Sequence, residues 1–144
     1  MHPASSADTA RVIDGFARAW ASPEIERFMA LLHPDVILLQ PVTKPIRGRD
    51  AAREEFTRLL GWIPDLRGTV DHAAADGDTA LIAWRLRFTL GPRPVELRIV
   101  DRIVVDGGLI REREAYYDSL DLMSRLLARP SAWLGYLRYR RYLP

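Results

Sequence analysis

A β-hairpin pattern over Val95–Asp118 constrains the fold of this chain more than any other feature. β-Branched residues alternate on both sides of the turn Asp106-Gly107-Gly108, which is typical of two antiparallel strands joined by a tight turn. Because side chains alternate between the two faces of a strand, six residues of the first arm share one face. Five of them are apolar: Val95, Leu97, Ile99, Ile103 and Val105. The sixth is Asp101, and an unpaired carboxylate costs several kcal/mol to bury, so Asp101 is the leading candidate for chemistry.

The composition indicates one globular domain with its own core. The chain has 144 residues, of which 48% are hydrophobic. It has no cysteine, which excludes disulfides and thiolate metal sites, and its three histidines show no metal-binding spacing. We therefore predict neither a metal nor a cofactor. No apolar run reaches the roughly 18 residues that span a bilayer, and the N-terminus lacks a signal-peptide core, so a cytoplasmic protein is expected.

The charge is distributed unevenly along the chain. The net charge is +2, but the segment Leu122–Pro144 contains five arginines and no acidic residue, which leaves the rest of the chain mildly acidic. A basic tail on an acidic body argues against a dedicated nucleic-acid partner. The tail mixes its arginines with aromatic residues, a composition that suits a membrane interface or an acidic partner. We favour instead an amphipathic lid or dimer strap that stacks Trp133 and Tyr136 against the body.

The order of the predicted elements indicates an α+β fold. Three N-terminal helices and one short strand precede four long antiparallel strands and a final helix. The predicted ranges are helices from Asp8 or Thr9 to Ala21, Pro23–Leu32, Asp50–Trp62 and Leu120–Ala128, and, besides the hairpin, strands Val36–Gln40, Gly68–Ala75 and Thr79–Leu90. Such a curved sheet buries its concave face under the helices, and a second copy of the chain commonly covers the other face. We expect a homodimer, with residues 1–128 as the domain and 129–144 as an extension.

Three short segments resemble one known family. They are Phe28–Val36, Gly48–Ala51, and Asp106–Ile110 followed by Tyr116-Tyr117-Asp118. In this order the chain resembles the SnoaL-like proteins of the nuclear transport factor 2 superfamily. The resemblance implies a cone that encloses an apolar pocket. It also implies a function among ketosteroid isomerases, limonene epoxide hydrolases, polyketide cyclases, dehydratases and non-catalytic binding modules.

The hairpin register predicts which polar groups face that pocket. With Asp106–Gly108 as a three-residue loop, Asp101 lies opposite Arg113 and Arg102 lies opposite Glu112. Opposite charges across a strand pair favour this register, whereas a slip by one residue pairs like charges. The register places Asp101, Arg113, Ala115 and Tyr117 on the pocket face.

The same reasoning at the turn Asp76-Gly77-Asp78 places His72 beside Ile82, inside the pocket. The predicted pocket is mostly apolar with a few converging polar groups, which is typical of a small-molecule site. Its apolar wall is Phe16, Trp20, Phe56, Leu60, Ile82, Trp84, Leu86, Phe88, Leu97, Ile99 and Ala115. Its polar groups are Gln40, His72, Asp101, Arg113 and Tyr117.

The resemblance also allows two reactions to be set aside by residue match. At the positions of the ketosteroid isomerase tyrosine and base, this chain has Phe16 and Gln40, which cannot perform those roles. At the positions of the limonene epoxide hydrolase triad it has Ile82, Trp84 and Ala115.

The remaining enzymatic hypothesis is cofactor-free acid–base chemistry of the cyclase, dehydratase or isomerase type. It would act on a polyketide-, steroid- or terpenoid-like molecule through Asp101, assisted by Arg113, His72 and Tyr117. Two alternatives stay open: Asp101 and Arg113 form a purely structural pair, or the chain is a non-catalytic ligand-binding or dimerisation module.

Overall fold

The computed structural model describes residues 6–141 and confirms the α+β class. The elements are α1 Ser6–Ala21, α2 Ile25–Met29, β1 Leu32–Leu39, β2 Ile46–Arg47, α3 Arg49–Trp62, β3 Arg67–Asp76, β4 Thr79–Leu90, β5 Arg93–Asp106, β6 Leu109–Tyr117, α4 Ser119–Leu127, a 3-10 turn Pro130–Ala132 and α5 Trp133–Tyr139.

The strands form one curved six-stranded sheet in the order β2-β1-β6-β5-β4-β3. The four strands from β3 to β6 pair antiparallel with their sequence neighbours, as predicted. The first strand differs from an all-antiparallel sheet, because β1 runs parallel to β6. A parallel pair needs a long crossover connection, and here the connection contains α3 and four strands, β2 to β5.

Alternation along β4 and β5 separates the two faces of the sheet. The even-numbered residues of β4 from Ala80 to Leu90 and the odd-numbered residues of β5 from Val95 to Val105 are buried, Asp101 among them. Helix α1 packs on this inner face, where the Phe16 ring meets Trp84 edge-on at 5.3 Å and the Trp20 ring lies 4.8 Å from it. A Cβ at Gly68 in β3 would lie 2.7 Å from Trp20, so glycine permits this close approach.

Two predicted helix boundaries need correction. Helix α2 ends at Met29 rather than Leu32, because the backbone N–H of Ile110 donates to the Leu31 carbonyl at 2.7 Å and draws the chain into the sheet. Helix α3 begins at Arg49 after Gly48, which has a φ of 87°, so Asp50 lies inside the first turn and is not the N-cap.

The chain after the sheet forms α4, the 3-10 turn and α5. The Asp118 side chain caps α4 by accepting a hydrogen bond from the Asp121 N–H at 2.9 Å. Helix α5 packs on α3, where the Tyr136 and Tyr139 rings lie 5.4 and 5.0 Å from the Trp62 ring. Tyr136 packs on the body as predicted, whereas Trp133 is 44% exposed and contacts the body through a hydrogen bond from its Nε1 to the Leu126 carbonyl at 2.8 Å. No helix between residues 6 and 141 is long and apolar enough to cross a membrane.

Candidate functional site

A mostly apolar cavity of about 120 Å³ lies between the inner face of the sheet and α3, and α4 and α5 close it on the remaining side. Its polar wall groups include Arg113 and Tyr117 of β6, Glu55 of α3 and Tyr139 of α5. Its volume is similar to that of an apolar protein cavity of about 150 Å³ that binds benzene. The closed cavity therefore has room for roughly one aromatic ring.

Most of the predicted wall residues line this cavity. They are Trp20, Gln40, Phe56, Trp84, Leu86, Phe88, Leu97, Ile99, Arg113, Ala115 and Tyr117. Phe16 and Ile82 belong instead to the core beneath the cavity, where each is at most 1% exposed. Leu60 is partly buried against the core and does not line the cavity.

Arg113 is held on the cavity wall from three sides. Its Nε donates a hydrogen bond to Asp101 Oδ2 at 2.6 Å, and the Asp101 side chain is fully buried. Its guanidinium carbon lies 5.9 Å from the centre of the Phe16 ring and 5.6 Å from that of the Trp20 ring, within the range of cation–π contacts. Among residues 6–141, this bond from Nε is the only hydrogen bond that the Arg113 side chain makes. Both terminal nitrogens thus remain available to a ligand.

The predicted Asp101–Arg113 pair is confirmed, but the predicted register is wrong. The turn is a two-residue Gly107-Gly108 loop with φ of 59° and 76°, which shifts the pairing by one residue. A bulge at Arg111 then adds a second shift, so Asp101 lies opposite Ala115 and reaches Arg113 diagonally. Together the two shifts displace the pairing by two residues. Because side chains alternate between the faces of a strand, Arg113, Ala115 and Tyr117 stay on the predicted face.

Asp101 itself lies behind Arg113 and does not line the cavity. Its Oδ1 atom has no hydrogen-bond partner among residues 6–141. The sequence-based prediction that Asp101 exchanges a proton with a ligand therefore needs correction. The position of Asp101 suits it to orient Arg113.

His72 does not point into the cavity. The β3–β4 loop is Gly77-Asp78, with Asp76 opposite Thr79, one residue shorter than predicted, so His72 lies opposite Ala83 instead of Ile82. A bulge at Asp71 shifts the strand pairing back to the predicted register from Val70 toward the start of β3. His72 lies on the other side of this bulge and keeps the shifted register. His72 is thus exposed in a groove on the outer face, beside Asp71 and Arg85. Its predicted role in the cavity is wrong.

The sequence analysis missed Glu55, which carries the carboxylate on the cavity wall. Its side chain is 11% exposed and accepts hydrogen bonds from Gln40 Nε2 at 3.3 Å and from an Arg58 terminal nitrogen at 2.9 Å. The Tyr139 hydroxyl donates to the same oxygen as Gln40. The spacing of Ala52, Glu55 and Leu59 along one helix face could have indicated that Glu55 faces inward.

Two of the tyrosines that line the cavity, Tyr117 and Tyr139, are held in the protonated form. Burial raises the pKa of Tyr117, and the Arg113 cation opposes this rise in part. Burial also raises the pKa of Tyr139, and the neighbouring Glu55 carboxylate adds to the effect. Both hydroxyls therefore act as hydrogen-bond donors at neutral pH.

Comparison with protein families gives one result for most of the chain. Residues 13–113 match the model of the SnoaL-like domain. No curated protein matches the sequence significantly.

Several solved structures share the fold. A protein from Jannaschia sp. CCS1, named for its likeness to SnoaL-like polyketide cyclases, has 18% identity and a TM-score of 0.75 over 90% of this chain and 98% of its own. An epoxide hydrolase of the LEH-like type from M. tuberculosis has 22% identity and a TM-score of 0.72 over 89% of this chain and 96% of its own. An NTF2-like protein of unknown function from Burkholderia pseudomallei K96243 has 18% identity and a TM-score of 0.73 over 81% and 95%. At these identities the likeness shows the fold alone.

Proposed function

The chain belongs to the SnoaL-like domain family, and we propose that it binds a small, largely apolar molecule in the cavity, with an oxygen atom of that molecule on Arg113. The ligand is of the polyketide, steroid or terpenoid type. The support is the cavity itself, whose wall is apolar apart from a few groups that converge on it.

The observation that carries this proposal is the fixed guanidinium of Arg113. A cation that is held by a buried carboxylate and two aromatic rings keeps its orientation without a ligand. Its terminal nitrogens are donors, so they select a carbonyl, enolate or carboxylate oxygen. A pre-oriented donor in a dry site stabilises negative charge more strongly than one in water.

The catalytic form of the proposal is cofactor-free acid–base chemistry of the cyclase, dehydratase or isomerase type. Arg113 would stabilise the negative charge on a carbonyl oxygen as the Glu55 carboxylate, once released by Tyr139, takes the proton from a neighbouring C–H bond, and the protonated Tyr117 would donate a hydrogen bond to that oxygen. Asp101 acts as a positioning residue, because its carboxylate accepts the Arg113 hydrogen bond and does not line the cavity. The substrate enters from the side that α4 and α5 cover.

The second candidate is a non-catalytic binding module of the same fold. The observation that favours it is the state of Glu55, the carboxylate on the cavity wall. Its three hydrogen bonds among residues 6–141 come from protein donors, namely Gln40, Arg58 and Tyr139, so both of its oxygens are occupied while these donors stay in place.

A matched pair of probes tests the binding proposal. Calorimetric titration compares the ketone 2-acetonaphthone with 2-isopropylnaphthalene, which has similar shape and no oxygen. We expect the ketone to bind about tenfold more tightly, as for a hydrogen bond to a charged group. The double variant Asp101→Asn with Arg113→Gln keeps the shape of the pair and removes its charge. It should lose the preference for the ketone, and an unchanged preference would contradict the role of Arg113.

Deuterium exchange into the methyl group of 2-acetonaphthone separates the two candidate functions. Acid–base catalysis predicts exchange above the buffer rate, followed by NMR in D2O, and a lower rate in Asp101→Asn. Binding of the ketone without any catalysed exchange would support the non-catalytic module instead.

We also propose that the outer face of the sheet forms a homodimer. Val100 lies between Ala83 and Tyr116 in the sheet, and Val100 and Tyr116 are 41% and 52% exposed. Arg85, Glu96 and Arg98 surround them with both signs of charge, which suits self-pairing about a twofold axis. Sedimentation velocity of the wild type and of Val100→Arg tests this. A dimer that Val100→Arg converts to monomer supports the proposal, and a monomeric wild type rejects it.

A further inference from the structure

The C-terminal helix α5 places a side chain of its own on the wall carboxylate of the cavity. Tyr139 lies on α5, and its hydroxyl donates to Oε1 of Glu55 on α3, 84 positions earlier in the chain. The phenol ring is stacked on Trp62 at 5.0 Å and 22°. Tyr139 thus occupies the mouth of the cavity in the way that a hydroxylated aromatic ligand would.

Helix α5 is attached weakly compared with the rest of the fold. It has seven residues and none of them is buried. A helix of this length has no stability of its own in water, so its contacts with the body hold it in place. Those contacts include the two tyrosines on Trp62, the bond to Glu55 and a hydrogen bond from Trp133 Nε1 to the Leu126 carbonyl at 2.8 Å. Just after the helix, Arg141 and Glu54 form an exposed ion pair at 2.7 Å.

The Glu55 carboxylate needs a donor at this position. It is largely buried, and departure of Tyr139 would leave Oε1 with the 3.3 Å contact to Gln40 as its remaining hydrogen bond among residues 6–141. A buried acceptor that loses its donor incurs a desolvation penalty. A site built around such an acceptor rejects a ligand that brings no donor and accepts one that does.

We propose that Glu55 is a second polar anchor of the cavity, for a hydroxyl group of the ligand, and that Tyr139 is its internal stand-in. Binding exchanges the Tyr139 hydroxyl for the ligand hydroxyl and releases α5 from the mouth. The inference rests on the proposed function, because it concerns the same cavity. According to this inference, the ligand carries two polar groups: an acceptor oxygen that Arg113 binds and a hydroxyl donor that Glu55 binds.

The size of the cavity supports the exchange. About 120 Å³ is too little for a ligand of two or more fused rings, since about 150 Å³ holds a single benzene. Helix α5 contributes Tyr136, Tyr139 and Arg140 to the wall, so its departure enlarges the cavity on that side.

The test uses 2-naphthol and 2-methylnaphthalene, which differ by a hydroxyl in place of a methyl group. By calorimetry, we expect the wild type to bind 2-naphthol more tightly. Tyr139→Phe should raise the affinity for both probes about fivefold, because each two-ring ligand displaces α5 and the bond that docks it is gone, and it should keep the preference for 2-naphthol. Glu55→Gln should bring the two affinities close together. The matched control Glu54→Gln loosens α5 at its exposed ion pair without touching the cavity, and it should keep the discrimination of the wild type.

Hydrogen exchange of the α5 amides provides a second readout. We expect 2-naphthol to accelerate exchange over residues 133–139 of the wild type, since the ligand displaces Tyr139. A merely structural pair predicts slower or unchanged exchange.

Equal binding of the two probes, with no effect of Tyr139→Phe, would overturn this inference and leave the proposed function standing. Binding of neither probe, nor of the naphthyl ketone, would overturn both.

Discussion

Two carboxylate–donor pairs present a side chain to the cavity wall, and they differ in how they are built. Asp101 and Arg113 lie on adjacent strands of one hairpin, and the carboxylate is fully buried. Glu55 and Tyr139 join α3 to the short helix α5, and the donor comes from an element with no buried residue. The first pair is fixed by the sheet ladder on both sides, whereas the second depends on a docked helix. We infer that the Asp101–Arg113 pair orients a bound ligand, whereas the Glu55–Tyr139 pair controls whether a ligand can enter the cavity.

The largest expected effect comes from breaking the sheet pair on one side. Arg113→Leu leaves the Asp101 charge buried without a partner and should cost about 3–5 kcal/mol of unfolding free energy. Denaturant unfolding measures it. The double variant Asp101→Leu with Arg113→Leu removes both charges and should recover most of the loss. A double variant as unstable as Arg113→Leu would contradict this account of the pair.

A smaller effect is expected where α5 meets α3. A Cβ at Gly135 would lie 2.6 Å from Cδ1 of Trp62, so Gly135→Ala overpacks this contact, which typically costs about 1–3 kcal/mol. Because α5 can detach, the strain should expose Trp62 and leave the sheet intact. A red shift of tryptophan emission without a comparable change in the denaturant midpoint would show this. A midpoint that falls as far as in Arg113→Leu would show that α5 is as integral as the hairpin.

The hydrogen bond to Glu55 should contribute about 1 kcal/mol to the docking of α5, as a typical hydrogen bond within a protein does. Tyr139→Phe should therefore be cut faster by trypsin after Arg138 and Arg140, with little change in global stability. Tyr136→Phe is the matched control, since the Tyr136 hydroxyl contacts only the Met123 sulfur at 3.7 Å among residues 6–141. Equal cleavage rates in the two variants would contradict the claim that the Tyr139–Glu55 hydrogen bond holds α5 on α3.

The smallest expected effect is on the pH dependence of stability. The buried tyrosines Tyr117 and Tyr139 should leave the free energy of unfolding unchanged at neutral pH and make it pH-dependent at alkaline pH. The pKa values of Tyr117 and Tyr139 are raised in the folded state from an ordinary value of 10.0. Above pH 10 the unfolded chain loses these protons first, so stability falls as pH rises toward the folded pKa values. Unfolding curves between pH 8 and 11.5 should show a shallower loss in Tyr117→Phe with Tyr139→Phe than in the wild type. Parallel curves would refute the burial of these phenols.

The alternation of side chains and charges along one hairpin predicted the Asp101–Arg113 part of the site. Alternation along β5 placed Asp101 on the buried face, and charge complementarity selected Arg113 as its partner. The hairpin partners were wrong in detail, because loop length and bulges leave no strong trace in the pattern. At Arg113 the shorter turn and the bulge shift the pairing by two residues, which leaves the side chain on the predicted face. At His72 the shorter turn of the other hairpin shifts the pairing by one residue, so His72 faces outward.

The sequence by itself determined the fold class, the buried face of each long strand and the presence of one charged residue on an apolar face. These follow from side-chain periodicity, which is a property of neighbours along the chain. Only the tertiary structure decided that Asp101 lies behind Arg113 and that Tyr139 reaches Glu55. Those contacts depend on register and on the docking of a helix that no local preference stabilises, so packing of distant elements had to fix them.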